Sequence, residues 1–199
     1  MPTIYERTPE YWTRDLADRA FESAMTASLG ELGWEFQDNT TSHDRPDLYL
    51  FRQARSERVR LALELKEKRQ HYRDRWAELA GLPEAELLVV DEVALRKLVA
   101  WAPRAHLLFW DDTRPDRPYV LFSIIDLLCV PKVRVQRPIT LNSPLLKAKW
   151  LLDRRHGQIL PDLDAVLAAL DRYVAQDMWN DMRRLKAHGD FVGEKVETL

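Results

Sequence analysis

The segment from Val59 to Leu65 alternates without a break. Val59, Leu61, Leu63 and Leu65 are apolar, and Arg60, Ala62, Glu64 and then Lys66 occupy the positions between and after them. A period of two belongs to a β-strand, whose successive side chains point to opposite faces. One face must therefore join a core, and Glu64 and Lys66 share the other. Upstream, Leu48 to Phe51 reads as a second strand opened by Pro46, a position where proline's missing N–H is not needed for the ladder. Ala54 to Glu57 supplies a turn. If these two strands pair as a hairpin, Asp47, at the open end of one, lies beside the Glu64 end of the other.

The rest of the chain builds around this hairpin. From Arg14 to Leu32, Leu16, Ala20, Phe21, Met25, Leu29 and Leu32 recur at helical spacing, with Gly33 as the stop. Trp34 to Gln37 reads as a short strand, and Asp38 to Arg45 as a polar loop. Residues 67 to 80 lead into a helix ending at Gly81. Leu87 to Val90, Glu92 to Trp101 and His106 to Trp110 form a strand, an amphipathic helix and a strand, with the length of a right-handed crossover. Tyr119 to Ile125 and Val133 to Ile139 read as strands, Lys147 to Arg155 as a short basic helix, and Leu163 to Ala187 as one or two helices. The pattern predicts a mixed α/β fold. Residues 1–140 are expected to hold the main domain. Residues 141–199 are expected to form a helical C-terminal extension, separate or within the same domain.

Composition excludes several classes. The net charge of −2 argues against wholesale polyanion binding but not against a local basic face. Such a face is written between Arg52 and Arg75, where nine Lys and Arg stand against four acids. Cys129 is the only cysteine, which rules out an intrachain disulfide and a multi-thiolate zinc site and fits a reducing, cytoplasmic setting. The N-terminus lacks signal-peptide blocks and no apolar run is long enough to span a membrane. With six Gly in all there is little room for a phosphate-cradling loop, and no HExxH or GxSxG occurs.

Cleaving a phosphodiester needs a hard cation, carboxylates to hold it, and a group to orient water. Asp47, Glu64 and Lys66 supply the last two, and the Leu65 carbonyl is placed to act as a further ligand. The string RPDLYLF, 16 residues between Asp47 and Glu64 (48 to 63), and then Glu64-Leu65-Lys66 resemble the PD-(D/E)xK nuclease superfamily. The resemblance covers about residues 14 to 110. It implies a restriction-endonuclease-like core of helix, three strands, helix and strand. It also implies Mg²⁺, with Mn²⁺ as a substitute, on Asp47 and Glu64, Lys66 assisting the water, and Glu22 in the first helix as an accessory acid.

Residue by residue, blander readings exist. Asp47 alone reads as a turn residue. Glu64 and Lys66 alone read as the solvated face of an edge strand, and Glu22 as an acid bordering an apolar helix face. Together they point to a metal-dependent endodeoxyribonuclease. Lys68, Arg69, Arg73 and Arg75 are the expected nucleic-acid contacts, with Tyr72 and Trp76 available to stack. DNA stands ahead of RNA as the partner. A homodimer or a partner protein is compatible with this reading. The alternatives are a catalytically inactive nucleic-acid-binding or assembly subunit on the same fold, and a defence effector that needs a second chain. His43 and His71 flank the motif as weaker acid candidates. The cluster Lys147, Lys149, Arg154, Arg155 and His156 reads as surface solvation.

Overall fold

The alternating segment is a strand in the middle of a sheet. The structure, a computed structural model, describes residues 20–42, 44–54, 57–138, 144, 146–175 and 195–198. Helix α1 (Ala20–Glu31) is followed by β1 (Glu35–Asp38), β2 (Leu48–Ala54) and β3 (Glu57–Lys68). These three strands pair antiparallel in sequence order, and β3 then pairs in parallel with β5 (Ala105–Asp111). Strands β6 (Tyr119–Ser123) and β9 (Gln158–Leu160) complete a six-stranded sheet of order β1-β2-β3-β5-β6-β9. Helix, three antiparallel strands, helix and a strand parallel to the third make up the restriction-endonuclease-like core that the resemblance implies.

The connection between β3 and β5 holds α2 (Asp74–Ala80), β4 (Leu87–Asp91) and α3 (Glu92–Val99). The expected crossover from Leu87 to Trp110 is thereby corrected. β4 and β5 lie in different sheets, and the parallel partner of β5 is β3. β4 instead joins a four-stranded sheet of order β10-β7-β8-β4, with β7 at Lys132–Pro138, β8 at Leu146–Asp153 and β10 at Lys195–Thr198.

β8 is a second correction, since Lys147 to Arg155 reads as a basic helix. Leu151 packs with Leu87, Val133 and Val135, whereas Leu152 packs with Leu88 and Val90 in another cluster. Neighbouring residues thus serve opposite faces, as a strand between β4 and β7 requires, and this pairing overrides the helix propensity of Lys, Ala and Leu. The strand expected from Tyr119 to Ile125 stops at Ser123. There a capping box, with the Ser123 hydroxyl accepting from the Asp126 N–H at 3.0 Å and the Asp126 carboxylate accepting from the Ser123 N–H at 3.0 Å, starts α4 (Ile124–Cys129). Helix α5 (Leu163–Ala175) lies within the expected terminal helical region. The expected helix portions at 14–19 and 176–187, and His43, lie outside the described residues. Among the described residues, no helix is long and apolar enough to cross a membrane.

Both faces of the six-stranded sheet are covered. On one, Leu48, Leu50, Leu61, Leu63 and Leu65 pack against Phe21, Met25 and Leu29 of α1 and Val166, Leu167 and Leu170 of α5. On the other, Tyr49, Ala62, Leu107 and Phe109 pack against Ala94, Leu95 and Leu98 of α3 and Ile124 and Leu127 of α4. Glu64 lies on this second face, so it is covered rather than solvated, and the edge-strand reading of Glu64 and Lys66 falls away.

His106, opposite Leu63 in β5, is fully buried, with its ring 4.4 Å from that of Tyr173. Among the described residues neither ring nitrogen has a hydrogen-bond partner, and burial lowers its pKa from 6.5 to about 3. The folded state therefore holds the neutral ring while the unfolded chain takes up a proton below pH 6.5. Stability contributed by this site is full above that value and is lost as pH falls toward 3. Between pH 6.5 and 5, wild type is expected to lose about 2 kcal/mol more than His106→Leu in urea unfolding. Equal losses in the two proteins would contradict this assignment.

Candidate active site

The β2–β3 register sets the distance between the two acids. Leu48 pairs with Leu63, so Asp47, one residue before β2, meets β3 beside Glu64. Two contacts hold it there. The Asp47 carboxylate accepts the Leu65 N–H at 2.8 Å, and the Asp47 carbonyl accepts the Asn39 N–H at 2.8 Å. Asn39, itself buried, also donates from its side-chain amide to the Pro46 carbonyl at 3.3 Å. The polar loop after β1 thus pins the start of β2.

The Lys66 ammonium lies among the oxygens of this corner. It is 2.8 Å from Glu64 Oε1, 2.8 Å from the Leu65 carbonyl and 3.7 Å from Asp47 Oδ2. A second ammonium approaches from α3, with Lys97 Nζ 2.8 Å from Glu64 Oε2 and 4.0 Å from Asp47 Oδ1. Each carboxylate is therefore shared by two cations. Glu64 is only 2% exposed, and burial raises its pKa above the usual carboxylate range, with Lys66 and Lys97 opposing the rise and Asp47 adding to it. Burial also works against the Lys66 ammonium, but the Glu64 and Asp47 charges outweigh it and raise the Lys66 pKa. Lys66 is thus a firm cation at neutral pH and acts as a donor.

The donor set can be compared with what a cation needs. Two carboxylates and a peptide carbonyl are hard oxygen ligands of the kind Mg²⁺ and Mn²⁺ accept. Glu64 Oε2 is buried, with the Lys97 ammonium as its ion-pair partner at 2.8 Å. The Lys66 ammonium already draws on the same three oxygens, so the corner suits a positive charge. These residues fit a divalent cation, provided that the lysine ammonium groups give way to it.

Among the sequence-predicted residues, Asp47, Glu64, Leu65 and Lys66 come together. Glu22 lines the same cleft from α1 and is half-buried, and its charge bears on Glu67, whose pKa burial raises and Arg69 opposes. Among the described residues no group of three His, Cys, Asp or Glu is gathered closely enough to hold a metal ion. Arg69 lines the cleft and pairs with Glu67 at 2.6 Å. Arg73 and Arg75 are exposed at the start of α2 and are not among the cleft-lining residues.

Lys68 is a correction. It is 2% exposed, and its ammonium is bound by the Glu84 carboxylate at 2.9 Å and by the Glu84 and Leu87 carbonyls at 3.1 and 3.2 Å. A buried cation with these partners braces β3 against β4 and does not meet a nucleic acid. Burial pushes the Glu84 carboxyl up, but the Tyr72 N–H, Lys68 and His71 more than offset it and hold the pKa at about 2. His71 is committed to this same carboxylate, 2.8 Å away. Tyr72 and Trp76 pack against the core of the four-stranded sheet.

Lys97 is the residue that sequence reasoning missed. Its signal was its place in α3, three residues after Ala94 and four before Trp101, on the border of the buried face. A lysine at such a position is a candidate for pairing with a buried acid, but nothing local says which one.

No family model and no curated protein matches the chain. Among solved structures it is similar to a Holliday junction resolvase of the archaeal hyperthermophile Archaeoglobus fulgidus. That match has a TM-score of 0.37 and 12% identity, and covers 68% of this chain and 93% of the other. It is also similar to a nuclease from a fusselovirus, with a TM-score of 0.40 and 12% identity, covering 92% of this chain and 98% of the other.

Proposed function

We propose that this chain is a metal-dependent nuclease of the PD-(D/E)xK type, hydrolysing phosphodiester bonds in DNA. One observation carries the reading. The Asp47 and Glu64 carboxylates and the Leu65 carbonyl come together around a positive charge at the open end of a buried hairpin. Asp47, Glu64 and the Leu65 carbonyl would hold Mg²⁺, or Mn²⁺ in its place. When bound, the cation supplies charge neutralisation at the phosphate and favours ionisation of the attacking water. Lys66, as an ammonium on the strand face shared with Glu64, donates to the water or to a phosphate oxygen and fixes the line of attack. Glu22, from the cleft wall, is the accessory acid.

The purified protein is expected to nick supercoiled plasmid with Mg²⁺ or Mn²⁺ and to stop on addition of EDTA. A second reading, a non-catalytic nucleic-acid-binding or assembly subunit, is favoured by a different observation: Lys66 and Lys97 together match the charge of Asp47 and Glu64. Plasmid left intact with either metal, and no heat of Mn²⁺ binding in calorimetry, would favour that subunit.

A further inference from the structure

The cleft that holds Asp47 and Glu64, about 890 Å³ in volume, has a second wall made by α3 and the four-stranded sheet. Its organisers are two consecutive acids at the β4–α3 junction. Asp91 holds two lysines of β8, with Lys147 Nζ at 3.1 Å from one oxygen and Lys149 Nζ at 3.1 Å from the other. Glu92 holds two arginines, Arg134 of β7 at 2.6 Å and Arg96 one turn along α3. Four cations thus gather on two carboxylates, whereas at the Asp47–Glu64 corner two ammonium groups meet two carboxylates evenly. Of the four, Arg96, Arg134 and Lys147 line the cleft. The two clusters adjoin, since Arg96 of the wall and Lys97 of the corner are consecutive in α3 and both line the cleft.

We infer that Arg96, Arg134 and Lys147, oriented by Glu92 and Asp91, form a phosphate clamp that holds the backbone of duplex DNA across the Asp47–Glu64 corner. The clamp rests on the nuclease reading for its substrate and gives that reading a grip. The corner itself is charge-balanced, so the facing wall, where Arg96, Arg134 and Lys147 outnumber Asp91 and Glu92, sets the sign that a polyanion meets on that side of the cleft. Charge-assisted pairing with Asp91 and Glu92 holds the cations in place before the substrate arrives, so little side-chain freedom is left to lose on binding. Asp91 and Glu92 are positioning residues. Their adjacency in sequence is what lets one chain turn gather cations from β7, β8 and α3. The clamp also moves the expected nucleic-acid contacts from the run at 68–75 to α3 and the second sheet.

The test separates grip from cutting. Binding of a fluorescein-labelled DNA duplex is followed by anisotropy in EDTA over a series of salt concentrations, with the folded state of each variant checked by circular dichroism. The triple variant Arg96→Gln/Arg134→Gln/Lys147→Gln is expected to bind at least about tenfold more weakly at low salt. The slope of log affinity against log salt should shrink by roughly 2 to 3, near 0.9 per lost phosphate contact. Arg96→Gln alone alters a side chain that is 75% exposed and should reduce the slope by about 0.9 without affecting the fold. Arg172→Gln, on α5 across the six-stranded sheet, should match wild type. The clamp is overturned if wild type does not bind the duplex, if the triple variant keeps the wild-type slope, or if Arg73→Gln/Arg75→Gln removes the slope instead. Clamp-dependent binding by a protein that never cuts with Mn²⁺ would leave the clamp standing and remove the nuclease reading.

Discussion

Asp47→Asn is expected to lower the rate of DNA cleavage on the order of 10³-fold, about 4 kcal/mol of barrier, with the fold intact. The choice of Asn matters. Asp47 does two jobs: it offers charge to the corner, and it accepts the Leu65 N–H at 2.8 Å. An amide oxygen keeps the second and loses the first. Asp47→Ala loses both, leaves a partly buried N–H unpaired, and would mix a stability effect into the rate. Single-turnover cleavage with saturating Mn²⁺, alongside urea unfolding in EDTA, separates the two. Cleavage by Asp47→Asn at the wild-type rate would show that the charge of Asp47 has no part in the chemistry.

Lys97→Met should produce the second large effect, in two measurements of opposite sign. Glu64 is 2% exposed and the Lys97 side chain 12% exposed, so their 2.8 Å pair is almost out of water. Removing one partner of such a pair leaves a buried carboxylate with Lys66 alone, and costs about 3 kcal/mol or more of stability at neutral pH in EDTA. The same change removes a positive charge that competes for Glu64 and Asp47. Mn²⁺ affinity, read by calorimetry, should therefore tighten by about tenfold or more, and added Mn²⁺ should restore more stability to the variant than to wild type. Unchanged urea stability together with unchanged Mn²⁺ affinity would mean that Lys97 is a surface lysine that happens to lie nearby.

What the sequence made legible follows the range of the interactions. The β2–β3 hairpin and its acids could be read because they are local. Period-two alternation announces the strand, Pro46 marks a start, and antiparallel pairing across a short turn fixes the register that brings Asp47 to Glu64. The helix α1 could be read for a similar reason, since Phe21, Met25 and Leu29 repeat at one helical spacing. Partners that come from afar could not be read. Lys97 reaches Glu64 only because α3 packs on the sheet face that carries Ala62, and Lys68 is tied to Glu84 only because the turn before β4 folds back onto the end of β3. β8 misled for the same reason. LKAKWLL suits a helix by propensity, and its pairing with β4 and β7 is a contact between distant segments. The basic run from the end of β3 onward is therefore divided by the structure. Lys68 is a strut, Arg69 reaches the cleft, and the cations on the facing wall come from residues 96, 134 and 147.

The arrangement of charge suggests how the corner works as a unit. In the absence of a divalent ion, two lysines hold the two carboxylates together and keep a buried acid pair from repelling itself. A bound cation would take over that task and release an ammonium toward the substrate. The most direct measurement is anomalous diffraction at the manganese edge from a crystal soaked in Mn²⁺. The account predicts a peak bounded by the Asp47 and Glu64 carboxylates and the Leu65 carbonyl, with the Lys66 ammonium displaced from Glu64. Density with no peak at this corner, and Lys66 and Lys97 still seated on both carboxylates at saturating Mn²⁺, would contradict it.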